Sequence, residues 1–232
     1  MKIAGLQKTS LLDYPDQICA TVFTMGCNFR CPFCHNASLA LPNKSSDLLG
    51  EQEIFAFLEK RKGLLDAVCV TGGEPLLQLD IEAFLSDIKK MGYLIKLDTN
   101  GSFPNQMISL VERGLVDYVA MDIKNTLEKY PVTAGGTQVD VASIQESVSY
   151  LKREQVSFEF RTTVIRELHN QEDFSVIGEW LARTKHYYLQ MYVESPDIIA
   201  PGLHAHTREE MEAFAAILAN YSIGAKLRGE NP

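Results

Sequence analysis

Three of the five cysteines fall within eight positions, Cys27-Asn28-Phe29-Arg30-Cys31-Pro32-Phe33-Cys34, directly behind an apolar run from Ile18 to Met25 that reads as a strand. No other stretch constrains the chain as tightly. Three thiolates on one short loop can hold three irons of a four-iron cluster. Such clusters usually take four cysteine ligands, so a missing fourth leaves one iron open to a ligand that is not protein. Two plainer readings compete. A Cys3His zinc site could use His35, although structural zinc prefers paired spacings from two separate loops. The other is three cysteines placed by chance. The spacing favours the open-iron cluster, with Cys27, Cys31 and Cys34 as its metal ligands.

The remaining composition bounds the class. A chain of 232 residues makes one domain with a real core. Its 46% hydrophobic and 22% charged residues are those of a soluble globular protein. A net charge of −8 without a Lys/Arg cluster argues against a nucleic-acid surface. No apolar run reaches the roughly 18 residues of a membrane span, and Met1-Lys2-Ile3-Ala4-Gly5 does not open a signal peptide. An odd number of cysteines, three of them clustered, points to metal ligands in a reducing cytoplasm and not to disulfides.

Along the chain, residues 1–17 form an extension, irregular or hairpin-like, with a turn at Asp13-Tyr14-Pro15-Asp16. Residues 18–192 make the core. Strands are expected at Ile18–Met25, Ala67–Thr71, Tyr93–Asp98, Val116–Ile123, Phe158–Val164 and Tyr187–Tyr192. Helices are expected over Glu51–Lys62, from Asp80 as cap to Gly92, from Pro104 to Gly114, and from the caps Asp140 and Asn170. Ala37–Gly50 and Asn125–Val139 read as loops. Residues 193–232 form a terminal loop and a helix opened by the capping box Thr207-Arg208-Glu209-Glu210. Alternating strands and helices argue for a parallel sheet with right-handed crossovers. Six units suit this length better than the eight of a closed barrel, which takes about 250 residues. The expected fold is therefore α/β, a partial open (β/α)6 barrel with an N-terminal extension, with a flat doubly wound sheet as the alternative.

In such folds, function gathers beyond the carboxyl ends of the strands. Thr71-Gly72-Gly73-Glu74-Pro75 follows the second strand, where two glycines permit close backbone approach and Glu74 offers an anionic acceptor. A tight turn would need the same residues. Asp98-Thr99-Asn100-Gly101 and Asp122-Ile123-Lys124 follow the next two strands. Turn chemistry explains Asn100-Gly101, yet Asp98 and Asp122 end neighbouring strands and would repel without a cation or donor between them. Lys124 points to the same side as Asp122 and can meet an anionic group. Arg161 is either a salt-bridge partner or an anion contact. Cys19 and Cys69 sit in apolar patterns as small buried hydrophobes, and His204 and His206 read as parts of a polar loop.

The C-x3-C-x2-C spacing with an aromatic residue before the last cysteine resembles the signature of the radical S-adenosylmethionine (SAM) enzymes. Cys31-Pro32-Phe33-Cys34-His35-Asn36 is similar to the loop of those members that install glycyl radicals. Within these, the chain most resembles the activating proteins of anaerobic ribonucleoside-triphosphate reductase, in the long form with a pyruvate formate-lyase-activase type of barrel. The motifs run from the amino terminus to about Gln190 and so cover most of the chain. The resemblance implies a [4Fe-4S] cluster and SAM as cofactors. SAM would be met by Phe33, Cys34, His35, Gly72, Gly73, Glu74 and Asn100, by Asp98 near its amino group, by Asp122 at the ribose and by Lys124 at its carboxylate. His169 is a further ribose contact by resemblance, or else a solvent-exposed histidine, because Val164-Ile165-Arg166-Glu167 replaces the Val-Pro-Gly turn common in relatives. A monovalent cation between Asp98 and Asp122 is also implied.

No acid–base residue is required beyond the cluster and SAM ligands, since the cofactors carry the chemistry. The implied partners are a glycyl radical enzyme, with the anaerobic ribonucleotide reductase first among them, and reduced flavodoxin or ferredoxin as electron donor. A radical SAM enzyme acting on a small molecule would share every SAM residue. The lack of further cysteine pairs favours a protein substrate.

Overall fold

A computed structural model describes residues 1–41, 47–136 and 139–229. Eight strands make one sheet in chain order. They are β1 (Ile3–Ser10), β2 (Cys19–Thr24), β3 (Ala67–Gly72), β4 (Leu94–Thr99), β5 (Tyr118–Asp122), β6 (Ser157–Val164), β7 (Tyr187–Met191) and β8 (Lys226–Arg228). β2 to β8 pair in parallel, and β1 runs antiparallel to β2, with Ser10 opposite Cys19. The helices are α1 (Ala37–Ala40), α2 (Glu51–Glu59), α3 (Ile81–Lys90), α4 (Pro104–Glu112), α5 (Tyr130–Thr133), α6 (Val141–Leu151), α7 (Gln171–Leu181) and α8 (Arg208–Ala219). No described helix is long and apolar enough to cross a membrane.

The strand order decides between the two expected architectures. A doubly wound sheet reverses its order at a switch point and carries helices on both faces. Here the order never reverses, so right-handed crossovers put every helix on one face. β1 and β8 are the two edges of the sheet, so the barrel of six βα units from β2 to β7 is open. Alternation along each strand follows from this. Val68, Val70, Ile95, Leu97, Val119, Met121, Phe158 and Phe160 are buried in the main core. The residues between them, Lys96, Asp98, Tyr118, Asp122, Glu159 and Arg161, take the opposite face.

The six expected strands are present to within one or two residues. Of the two expectations for the extension the hairpin holds, with β1 antiparallel to β2. β8 was not expected; at three residues it is too short to carry a readable period. One-turn helices α1 and α5 lie in the stretches read as loops; residues 42–46 and 137–138 of those stretches, like 230–232, lie outside the described residues. Asp140, Asn170 and Thr207 cap their helices, the last two with full capping boxes. Asp80 does not cap α3 with its side chain; its carboxylate instead receives the amino-terminal ammonium of Met1.

Residues 11–17 close the lower end of the open barrel. Thr21 Oγ1 donates to Asp13 Oδ2 at 2.6 Å, and Lys96 Nζ donates to the Asp13 carbonyl at 2.5 Å. Tyr14 lies against Tyr118, with ring centroids 5.5 Å apart, above the buried Cys19 and Cys69.

Candidate active site

The cysteine loop leaves β2 through Gly26 and is fixed from three sides. Glu74 N donates to Gly26 O at 2.8 Å, and Arg30 N donates to Ala134 O at 2.8 Å. Ala200 N, from the C-terminal segment, donates to Pro32 O at 2.9 Å. Two of these approaches require glycine. A Cβ on Gly73 would stand 2.0 Å from Gly26 O, and one on Gly135 (φ +73°) would stand 1.7 Å from Arg30 O. The Asn125–Val139 stretch is thus packed on the cysteine loop. The 193–206 segment reaches it too, with Asp197 accepting from Ser38 N and Oγ.

Cys27, Cys31 and Cys34 line one cavity of about 450 Å³ at the carboxyl ends of the strands. Phe29 N donates to Cys27 Sγ at 3.4 Å, and Asn100 Nδ2 stands 3.9 Å from the same sulfur. Burial pushes the Cys31 thiol up to about 11 and raises Cys27 as well, while Lys124 pulls both the other way. Such thiols give up their protons when a metal supplies the compensating charge. Phe33, His35, Gly72, Gly73, Asp98, Asn100, Asp122 and Lys124 line the same cavity. The His35 ring sits edge-on to Tyr192, with centroids 5.5 Å apart.

A chain of alternating charges runs from Lys96, beneath the cavity, to Asp98, Arg161, Asp122 and Lys124 in its lining. Lys96 Nζ stands 2.7 Å from Asp98 Oδ1, and Arg161 Nη1 stands 3.1 Å from Asp98 Oδ2. Arg161 Nε stands 3.0 Å from Asp122 Oδ1, and Lys124 Nζ 3.0 Å from Asp122 Oδ2. Burial alone would raise Asp122, but Lys124 and Arg161 outweigh it and hold the carboxyl at about 2. Asp98 is likewise held low against its burial, by Arg161 and Lys96. Arg161 is therefore the salt-bridge partner of both carboxylates, and its guanidinium takes the position expected for a monovalent cation. Nothing in the structure or the comparisons supports the alkali ion expected there.

Two expected SAM contacts lie behind the cavity wall. Glu74 is fully buried. Its Oε1 accepts from Leu76 N (3.1 Å) and Thr99 Oγ1 (2.9 Å), and its Oε2 accepts from Asn100 N (2.7 Å). The carboxylate ties the end of β3 to the end of β4, and burial raises it to about 7. His169 is neither exposed nor in the cavity lining; it is 2% exposed. Its Nδ1 accepts from Ile165 N at 3.1 Å and its Nε2 lies 2.8 Å from Lys124 O. With Nδ1 accepting, Nε2 carries the proton and donates, which fixes the backbone of Lys124. His206 is nearly buried, with Nε2 3.1 Å from His169 O. His204 is exposed and pairs with Glu167. Among the described residues no group of three or more His, Cys, Asp and Glu is arranged to hold a single metal ion, the three loop cysteines included.

The lining also includes Asn36, Thr163, Gln190 and Met191, which the sequence reading did not select. Thr163, Gln190 and Met191 end β6 and β7, so the strand-end rule applied to those strands would have found them.

The model of the radical SAM superfamily matches residues 21–177. The chain belongs to the radical SAM superfamily. This family implies a [4Fe-4S] cluster and SAM, and the donor set fits both: three cysteines on one loop with N–H groups toward a sulfur, beside a polar cavity with acidic and basic groups. A protein of Methanocaldococcus jannaschii, named provisionally as a glycyl-radical enzyme activating enzyme, is 31% identical over 82% of this chain and 79% of its own length. A second protein of that organism with the same designation is 28% identical over 78% of this chain and 69% of its own length. A protein of Thermococcus kodakarensis named provisionally as a GTP 3',8-cyclase is 26% identical over 75% of this chain and 55% of its own length. Streptococcus suis SuiB bound to S-adenosylmethionine shares the fold, with a TM-score of 0.69 at 12% identity, over 88% of this chain and 48% of that one.

Proposed function

We propose that this protein is a glycyl-radical enzyme activase, that its partner is the anaerobic ribonucleoside-triphosphate reductase, and that reduced flavodoxin or ferredoxin supplies its electron in the cytoplasm. The observation that carries this reading is the joining of the Cys31–Asn36 loop to an open six-unit sheet in a chain whose relative over four-fifths of its length bears the activase designation. When bound, the cluster and SAM would supply the one-electron chemistry that removes one hydrogen atom from a glycine Cα of the partner.

The chain's own residues bind, orient and exclude water. Cys27, Cys31 and Cys34 hold the cluster. The Gly72-Gly73 backbone and Asp98 meet the ammonium of SAM, Lys124 meets its carboxylate, and Asp122 meets the ribose. Phe33 and His35 cover the loop side, with Lys124 Nζ 5.7 Å from the Phe33 ring centroid. Glu74 and His169 act behind these groups, fixing Asn100 and Lys124. No side chain needs to move a proton in this step.

The test mixes the reconstituted protein with reductant, SAM and the anaerobic reductase, and looks for the doublet radical signal. A reductase whose radical glycine is replaced by Ala serves as control. The reading predicts one stable glycyl radical that is absent in the control. The relatives named as cyclases favour the second reading, a small-molecule substrate. Absence of a radical on any glycyl radical enzyme, together with turnover of a free metabolite, would establish it.

A further inference from the structure

Asp98 and Asp122 are matched by more positive charge than they carry. Three cations, Lys96, Arg161 and Lys124, pair with these two carboxylates. Of the neighbouring acidic groups on the concave face, Glu159 also acts on Arg161 through space. Glu159 is held by Arg228 through two bonds of 2.7 and 2.8 Å, and the Asp13 carboxylate is bonded to Thr21. An alkali ion entering between Asp98 and Asp122 would have to displace the Arg161 guanidinium, which is paired with both carboxylates.

Lys96 differs from the other two cations. It does not line the cavity, is 3% exposed, and arises one tier lower on β4 than Asp98. Its Nζ is bonded to the Asp13 carbonyl, and it faces Asp98 Oδ1 as an ion pair without hydrogen-bond geometry. That oxygen has no hydrogen bond of its own. The closed lower end of the barrel thereby delivers a fixed positive charge beneath the cavity.

We infer that Lys96, with Arg161, is a built-in replacement for a site-bound monovalent cation, so that the chain works independently of Na⁺ and K⁺. Lys96 is the positioning residue on which this independence rests, acting through Asp98. Removing its charge leaves Asp98 with Arg161 alone, on Oδ2, and opens a place for an alkali ion at Oδ1.

The inference uses the reading of the cavity as a SAM site in one arm of its test only. SAM affinity of the cluster-loaded protein is measured by calorimetry in tetramethylammonium chloride, NaCl and KCl at equal ionic strength. The melting temperature of the cluster-free protein is measured in the same salts. Wild-type affinity is expected to vary by less than about twofold among the salts, and Lys96→Met to regain about fivefold or more on adding Na⁺ or K⁺. The melting temperature of Lys96→Met should rise with Na⁺ or K⁺ and that of the wild type should not. A wild type that gains from either ion, or a folded Lys96→Met that responds to neither, overturns the inference. If Lys96→Met does not fold in any salt, Lys96→Met/Asp98→Asn decides. It removes both charges, and is expected to fold with no alkali response in its melting temperature; failure to fold, or such a response, overturns the inference. An alkali response in melting temperature without SAM binding by any form would leave the inference standing and remove the SAM reading.

Discussion

Replacing Glu74 by Gln should flatten a pH dependence of stability that the wild type owes to this one buried carboxyl. Burial raises Glu74 from 4.5 to about 7. For an acid raised in the fold, the native state holds the proton more tightly than the unfolded chain. The stabilisation is therefore complete below 4.5 and lost as pH rises through 7. Linkage over that shift gives a loss of about 2.5 kcal/mol between pH 5 and pH 8, or about 5–10 °C in melting temperature for a chain of this size. The hydrogen bonds set the offset. The carboxylate accepts from Leu76 N, Thr99 Oγ1 and Asn100 N. A glutamine amide must turn its NH2 toward one of the two backbone donors, which costs roughly 1–3 kcal/mol. The protonated acid avoids this, because Thr99 Oγ1 can take its proton. Glu74→Gln should thus be clearly less stable than wild type at pH 5 and close to it, or above it, at pH 8. Urea denaturation of the cluster-free protein from pH 5 to 8 measures this. His35 and His169, lowered by burial, push the wild-type profile the other way, so the comparison is the difference between the two proteins. Parallel profiles would refute the reasoning.

Cys27→Ala, Cys31→Ala and Cys34→Ala should each abolish cluster assembly, while Cys19→Ala and Cys69→Ala should keep full iron content; loss of the cluster in either of the latter contradicts the ligand assignment. Lys124→Ala should retain the cluster and weaken SAM binding. One lost charge-assisted hydrogen bond costs about 1.5–3 kcal/mol, or about tenfold or more in affinity, and unchanged binding by calorimetry would remove Lys124 from the SAM site.

The cluster loop and the strand-end motifs were legible because local spacing determines them. Three cysteines within eight residues share one loop in any fold, and Asp98, Asp122 and Lys124 follow from strand ends and alternation. The open barrel followed from counting βα units, and the unreversed strand order later confirmed it. Tertiary partners were not legible. Glu74 has the same sequence neighbours whether it faces a ligand or holds Asn100 from behind, and only the register of β3 against β4 decides. His169 reads as a loop residue because the partners that hold it in place, the Lys124 carbonyl on its ring and His206 on its own carbonyl, are remote in sequence. Arg161 could be placed on the correct face, but its bridging of Asp98 and Asp122 needed β4, β5 and β6 side by side. β8 gave no signal at three residues.

The proposed reaction moves one hydrogen atom from a partner's glycine Cα to the 5' carbon of SAM, so isotope transfer tests it most directly. The partner reductase is prepared with its glycines deuterated at Cα and mixed with the cluster-loaded protein, SAM and reductant, and the 5'-deoxyadenosine formed is analysed by mass. The account predicts one deuterium per 5'-deoxyadenosine, one 5'-deoxyadenosine per glycyl radical, and no label when the radical glycine is replaced by Ala. Unlabelled 5'-deoxyadenosine that forms only when a small metabolite is added would contradict it.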